Sequence, residues 1–314
     1  AMATADEAQH RQGKRYLAYA DRASRASVRL EGLAAATSPS SVYYVDAERP
    51  ALVSHLVDVG PTLHGHIWST GKAAILTSAT LSVGGRMGYL RHELGLPPET
   101  VEATLPSPFD YSTRCRLIVP VGLPLPTERE WEDEALEAMA QAIEHARGRT
   151  LVLCTTHRML NKAYEHLVAR VPYTIYRQRY AAERTATTAK FKADVSSVLV
   201  GTESYWAGVD VPGESLSCVI IDKLPFPSPD DHVIAALTAR YPDSYEAFLR
   251  VSVPRAVIMF KQGFGRLLRS VHDRGAIVCL DRRLTTKGYG KQFLRSLPDV
   301  PLSDRLEDIR SIVP

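Results

Sequence analysis

The sequence predicts an α/β fold built on a parallel sheet with helices on both faces. Three observations predict it. The runs 150–155 (TLVLCT), 197–201 (SVLVG) and 216–221 (LSCVII) are apolar almost throughout, as strands buried on both faces are. From residue 128 to residue 280 such runs alternate with amphipathic helical stretches, the pattern of repeated β–α units. The chain has 314 residues, 45% of them hydrophobic, enough for one large or two ordinary domains with proper cores.

The elements follow in order. Residues 5–36 read as helix, since Ala, Leu, Arg and Glu dominate and proline is absent before Pro39. Residues 41–45 (SVYYV) read as a short strand, and 72–81 as a buried strand ending in the small hydroxyls Thr77, Ser78 and Thr80. A proline-rich passage follows, through Pro97, Pro98, Pro106, Pro108, Pro124 and Pro126, with a strand at 116–120 inside it. It is the best place for a domain boundary, dividing the chain into 1–105 and 106–314. Beyond it come helix 128–147, strand 150–155, helix 159–170, a strand-like 173–176, helix 183–194 and strands 197–201 and 216–221. Helical stretches 230–241 and 245–268 and strand 276–280 complete the series. In such sheets ligands gather at the carboxyl ends of strands, where Thr155, Thr156, the 201–210 segment, Asp222, Lys223 and Asp281 fall.

Composition narrows the class. A net charge of +3 does not by itself argue for nucleic acid. A local basic run does better, with Arg11, Lys14, Arg15, Arg22, Arg25 and Arg29 against Asp21. The four cysteines stand far apart with no C-x-x-C pair, which offers no disulfide framework, zinc site or iron–sulfur ligand set. They read as small core residues, and a reducing cytoplasm is the expected setting. No apolar stretch approaches the length of a membrane span.

The richest stretch is 261–269 (KQGFGRLLR). On a helix turning about 100° per residue, Gln262, Arg266 and Arg269 fall at i, i+4 and i+7 and project from one stripe. Phe260, Phe264, Leu267 and Leu268 fall on the opposite, core-facing side. Gly263 and Gly265 flank the stripe, where a backbone or a phosphate can come close. Two guanidiniums and a positioning amide suit a polyphosphate with developing charge. The segment 201–213 (GTESYWAGVDVPG) leaves a strand with two acids and two aromatics. Asp210 or Glu203 can take a ribose hydroxyl or a water, while Tyr205 or Trp206 can pack or stack on a base. Residues 220–229 (IIDKLPFPSP) form a proline-stiffened loop that can hold Lys223 and Phe226 in place. Two apparent motifs fail. Between Gly65 and Gly71 lie five residues instead of the four of a P-loop, Ala73 stands where the Mg²⁺-binding hydroxyl belongs, and the strand follows the loop. The acidic box suggested by 6–10 (DEAQH) opens a helix with no preceding strand.

Taken in order, seven blocks resemble the C-terminal half of a DinG/XPD-type helicase, the DinG branch most closely. They are 76–81 (LTSATL), 107–109 (SPF), 151–156 (LVLCTT), 205–213 (YWAGVDVPG), 219–226 (VIIDKLPF), 262–269 (QGFGRLLR) and 280–284 (LDRRL). The resemblance runs over residues 75–298, and its specificity lies in the shared order. It implies a RecA-like second motor lobe at 106–314, with 1–105 the end of an inserted arch and an incomplete first lobe. It implies that Arg266 and Arg269, with Gln262, act as fingers on ATP, and that Gly208, Asp210 and Glu203 face the nucleotide. Thr77, Ser78 and Thr80 match the element coupling ATP state to strand grip; Thr155 and Thr156 match a nucleic-acid backbone contact, with Trp206 beside them. ATP and Mg²⁺, single-stranded and forked DNA, 5′ to 3′ travel, a missing N-terminal lobe in cis, and a cytoplasmic or nucleoid setting follow from the same resemblance. The P-loop, the acidic box and any iron–sulfur ligands are absent from the sequence, so it reads as a C-terminal fragment of a larger helicase. The rival reading keeps the fold and drops the motor: a nucleic-acid-binding or partner-docking lobe with vestigial phosphate motifs.

Overall fold

The computed structural model describes residues 2–46, 49–180, 183–206, 211 and 213–314, with side chains from residue 12 onward. The chain opens on helix α1 (Met2–Ala35), followed by β1 (Ser41–Asp46) and β2 (Ala51–Leu56), which form an antiparallel hairpin. Two short helices come next, α2 (Gly60–His66) and α3 (Gly88–Leu94). The remaining elements are α4 (Tyr111–Arg114), β3 (Cys115–Ile118), α5 (Trp131–His145), β4 (Thr150–Leu153), α6 (His157–Arg170), β5 (Ile175–Arg177) and α7 (Arg184–Ala193). After them come β6 (Val198–Gly201), α8 (Glu203–Trp206), β7 (Cys218–Ile221), α9 (His232–Thr238), α10 (Ser244–Ala247) and α11 (Val253–Phe264). The chain closes with β8 (Gly275–Cys279), α12 (Arg283–Thr286), α13 (Gly290–Leu294), β9 (Leu302–Ser303) and α14 (Ile309–Ile312).

Strands β3 to β9 form one parallel sheet in the order β5-β6-β4-β7-β8-β3-β9. Every residue of β4, β6, β7 and β8 is buried, which explains their unbroken apolar sequences. Alternate residues feed two cores. Val152, Val200, Ile220 and Val278 pack with Trp131, Met139 and Ile143 of α5 and Leu160 and Leu167 of α6. Leu151, Leu153, Leu199, Val219, Ile221 and Ile277 face the other way, toward Trp206, Phe260, Phe264 and Phe293. The α5 positions 131, 135, 139, 142 and 143 recur at helical spacing, and the Trp131 indole donates to the Leu280 carbonyl at 3.0 Å.

Two expectations are corrected and a third is extended. Residues 72–81 form no strand; the segment is irregular and open, with Ile75 89% exposed. Its apolar composition suits a central strand, but no described strand lies beside it to complete a ladder. The strand read at 41–45 forms, as β1; its hairpin partner β2, whose largely exposed side chains carry no clean alternation, went unread. The helix expected over 245–268 breaks into three parts and stops early. A π-helical turn spans Phe248–Ser252, where the Val253 N–H reaches back to Phe248 O, and Pro254, which lacks an N–H, follows at once. The helix then ends at Phe264, with Gly265 as its cap.

Residues 96–110 carry no helix or strand, in keeping with their prolines. The segment before them docks on α9 to α11. Arg240 meets Asp58 at 3.6 Å, Tyr44 stacks on His232 at 4.0 Å, and Arg255 meets Glu93 at 2.9 Å. The Lys261 ammonium donates to the carbonyl and the hydroxyl of Ser82, at 2.9 and 3.2 Å.

Candidate functional site

The strand register sets the site. Gly201, Leu153 and Ile221 stand level at the ends of β6, β4 and β7, with Cys279 of β8 level with Ile221. The next residues along each strand therefore form a row across the sheet: Thr202 and Glu203, Thr155 and Thr156, Asp222 and Lys223, and Asp281.

Asp222 organises this row. It is fully buried and accepts from the Thr155 N–H at 3.0 Å, the Thr155 hydroxyl at 3.0 Å and the Lys223 N–H at 2.7 Å. Burial pushes its carboxyl up to about 6, against the pull of those donors and of the Lys223 charge. Asp281, also fully buried, accepts from the Leu224 N–H at 2.9 Å and holds the Arg283 guanidinium at 2.7 Å. The two carboxylates thus fix the loop between Asp222 and Leu224 from both ends. Thr156 caps α6, its hydroxyl accepting from the Met159 N–H at 3.1 Å.

A cleft of about 390 Å³ opens over this row, lined among others by Thr155, Glu203, Trp206, Phe226, Arg255 and Met259. Arg255, Met259 and Gln262 lie on one face of α11 by helical spacing, so Gln262 continues the wall of the cleft toward the end of that helix. Arg255 is a residue the sequence reading passed over. It donates to the Val251 carbonyl at 3.0 Å and to Glu93 at 2.9 Å, joining cleft, π-turn and docked segment.

The single stripe of Gln262, Arg266 and Arg269 does not form, because α11 ends before the arginines. Arg266 lies in the turn after the Gly265 cap, its N–H on Gly263 O and its Nε on Gln262 O, both at 3.1 Å. It therefore stays beside Gln262 although the helix has ended. Arg269 lies further along, where Asp273 receives the N–H groups of Arg269 and Ser270, both at 2.7 Å. Burial would raise the Asp273 carboxyl, but these donors hold it below its ordinary value. Asp273 is thus a carboxylate clasp for the arginine segment, visible in the sequence only as an acid four residues after Arg269. The core-facing assignments stand: Phe260, Phe264, Leu267 and Leu268 are all buried.

Two further readings are corrected. Trp206 packs and offers no face to a base: it is 1% exposed, as is Tyr205, and its indole points to the Cys154 carbonyl at 3.5 Å. Gly263 does not border a phosphate space but lies under that indole, where an added Cβ would sit 2.9 Å from a ring carbon. Gly263→Ala is therefore expected to cost about 1–3 kcal/mol by overpacking, read as a lower urea midpoint. An unchanged midpoint would mean that the ring can move aside.

Phe226, held between Pro225 and Pro227, belongs to an aromatic group with Phe248 at 5.1 Å and Tyr289 at 5.7 Å. Thr77, Ser78 and Thr80 lie in the open segment, with Ser78 and Thr80 hydroxyls 3.1 Å apart. Ser82, two residues on from Thr80, is the one that Lys261 of α11 holds. Gly208 and Asp210 lie outside the described residues. The Gly65–Lys72 run forms the end of α2 and a turn with Gly71 at φ 70°, with no helix opening after Lys72. All four cysteines are buried thiols, pushed up by burial, Cys115 and Cys218 to about 12. Among the described residues no group of three or more His, Cys, Asp or Glu is arranged to hold a metal. None of their helices is long and apolar enough to cross a membrane.

Comparison with known proteins places this geometry. The chain is 41% identical over 244 residues to the ATP-dependent DNA helicase YoaA of Escherichia coli K12, covering 76% of this chain and 37% of that protein. It is 34% identical over 267 residues to the 3′-5′ exonuclease DinG of Bacillus subtilis, covering 81% of this chain and 28% of that protein. A family model described as the helicase C-terminal domain matches residues 139–300, just over half the chain. The chain belongs to the helicase C-terminal domain family of DinG/XPD-type proteins. This helicase C-terminal domain also superposes on a solved XPD helicase with a TM-score of 0.59 at 17% identity, over 84% of this chain and 48% of that one. The shared fold is RecA-like. The domain spans only 28% to 37% of the length of the two curated relatives.

Proposed function

We propose that this chain is the C-terminal motor portion of an ATP-dependent DNA helicase, with 106–314 as the second motor lobe. Residues 1–105 are read as the end of the arch and the returning part of the first lobe. The observation that carries the reading is α11, which walls the strand-end cleft at Arg255 and Met259 and runs on to Gln262, with Arg266 held beside Gln262 by the turn that follows. One helix thereby links donors for a polyphosphate to the edge that carries hydroxyls for a nucleic-acid backbone. The names of the relatives, ATP-dependent DNA helicases among them, support the same class.

The residues present fit one side of a nucleotide and not the whole of it. Gln262, Arg266 and Arg269 supply amide and guanidinium donors suited to a triphosphate, whereas the described residues offer no glycine loop leading from a strand into a helix with a lysine. Gly208, Asp210 and Glu203 are assigned to the nucleotide side by resemblance, and Mg²⁺ would be held on the first motor lobe. Bound ATP would supply the energy of phosphoryl transfer. This chain's part is to close over it with the arginines and to exclude water. The buried Asp222 takes both the N–H and the hydroxyl of Thr155 and so fixes the backbone that carries Thr156, whose hydroxyl accepts from Met159 and keeps its own proton for a phosphate of single-stranded DNA. Thr77, Ser78 and Thr80 are linked to α11 through Ser82 and Lys261, a path along which nucleotide state would reach the DNA grip. Travel is 5′ to 3′ in this reading, on single-stranded and forked DNA, with the N-terminal lobe in cis.

The test is direct. Purified as the 314-residue chain, the protein is expected to show no ATP hydrolysis above buffer, with or without single-stranded DNA. Joined in one polypeptide to a first motor lobe carrying the P-loop, it is expected to turn ATP over. DNA-stimulated turnover by the chain alone would overturn the division of labour. Failure of the joined protein to turn over would favour the lobe with vestigial motifs.

A further inference from the structure

At the free edge of the sheet, two strands away from β4, a second cleft of about 270 Å³ lies between β5, α6 and α7. Its walls include Tyr164, Arg177, Arg179, Glu183 and Lys190, three cations against one carboxylate. The Arg177 guanidinium lies over the Tyr164 ring, 4.5 Å from its centroid, which fixes the plane of the fork. Its Nε is buried and meets no hydrogen-bond partner among the described residues. Nor does Arg177, Arg179 or Lys190 pair with a carboxylate among those residues. Gln178 turns the other way and accepts from the Thr202 N–H at 2.8 Å and hydroxyl at 3.1 Å, tying this strand end to the end of β6. Tyr180, the next residue after Arg179, stands 70% exposed.

A guanidinium set against a ring, two exposed cations and an exposed aromatic ring around one strand end match the needs of an unpaired strand: phosphodiesters for the charges, a base face for the ring. A duplex has no free base face to offer. We propose that this edge cleft is a second contact for single-stranded DNA, with Arg177, Arg179 and Lys190 on the backbone and Tyr180 stacked on a base. It lies about 10 Å from the Thr155 edge by strand spacing, and it needs neither ATP nor the motor reading, since binding here is read on the chain alone.

Fluorescence anisotropy of the 314-residue chain with a labelled oligothymidylate tests it. The doubly substituted Arg179→Gln, Lys190→Gln chain is expected to bind more weakly, and the slope of log Kd against log salt should fall by about 0.7 for each phosphate no longer met by a cation. Tyr180→Ala should weaken binding about 5-fold or more with the salt slope unchanged. All three side chains are exposed, so melting temperatures should match the parent chain. A duplex of the same length should bind more weakly and ignore Tyr180→Ala. Unchanged affinity in both variants overturns the site, as does duplex binding equal to single-strand binding. If Thr155→Ala alone removes binding, the edge cleft is refuted while the strand-end reading survives.

Discussion

Arg266→Ala in a full-length protein carrying this chain is expected to lower ATP turnover by about 10³–10⁵-fold, the range by which an arginine on the transferred phosphoryl group accelerates such reactions. The expectation rests on how this guanidinium is held. Gly265 ends α11, the Arg266 N–H returns to Gly263 O, and Nε is used on Gln262 O. One edge of the guanidinium is thereby committed to the backbone, which sets the direction of the terminal nitrogens before any ligand arrives. Pre-set donors of this kind stabilise charge that develops during reaction, and they need not reorganise to do so. Arg266→Lys should recover little, since an ammonium cannot use Gln262 O and a phosphoryl oxygen with the same fixed geometry. Nucleotide affinity, read by titration with a fluorescent ATP analogue, should change far less than turnover, because the first lobe carries most of the binding. Wild-type turnover in Arg266→Ala would remove Arg266 from the finger role and leave Arg269 as the remaining candidate.

How much of this was legible in the sequence depended on the range of the interaction. The parallel sheet was readable because each central strand is buried on both faces, so every residue of β4, β6 and β7 had to be apolar or small. The residues at strand ends could be picked out as polar groups following such runs. The end of α11 was misread for a physical reason. Leu267 and Leu268 continue the apolar periodicity of the helix, yet they reach the core through a turn. Two glycines in four residues, each costing about 1 kcal/mol in a helix, were the signal that outweighed the periodicity. Residues 72–81 were misread because a strand's burial belongs to its neighbours: the same letters are a core strand inside a sheet and an open segment without one. The contacts that organise the site were not legible at all. Lys261 to Ser82 spans 179 residues and Arg255 to Glu93 spans 162, and no spacing rule along one chain can anticipate such pairs. Trp206 was left between packing and stacking. Its burial over Gly263, at 1% exposure, decides that it packs.

Asp222 should dominate both the stability of the strand-end row and its response to pH. Asp222→Ala would leave the Thr155 N–H, the Thr155 hydroxyl and the Lys223 N–H without their acceptor in the part-buried floor of the cleft, at a cost of up to about 1–3 kcal/mol for each donor that water does not reach. A loss of several kcal/mol in urea unfolding is therefore expected, with Thr155 no longer fixed for any backbone contact. The pH dependence runs in a less familiar direction. In the folded chain the carboxyl is raised from 3.8 to about 6, so the folded state holds the proton more tightly than the unfolded state does. Its contribution to stability is full below about pH 4 and is lost as pH rises through about 6, a change on the order of 3 kcal/mol. Asp273 and Asp110, both held below their ordinary values, work in the opposite sense at lower pH, so the raw profile of the wild-type chain mixes them. Subtracting the profile of Asp222→Asn removes that mixture, since the variant keeps every other titrating group. The difference between the two chains should shift in favour of the Asn variant as pH rises from 4 to 7, following the midpoint of urea unfolding at each pH. A flat difference would mean that the three donors outweigh burial, leaving Asp222 ionised throughout and the row indifferent to pH.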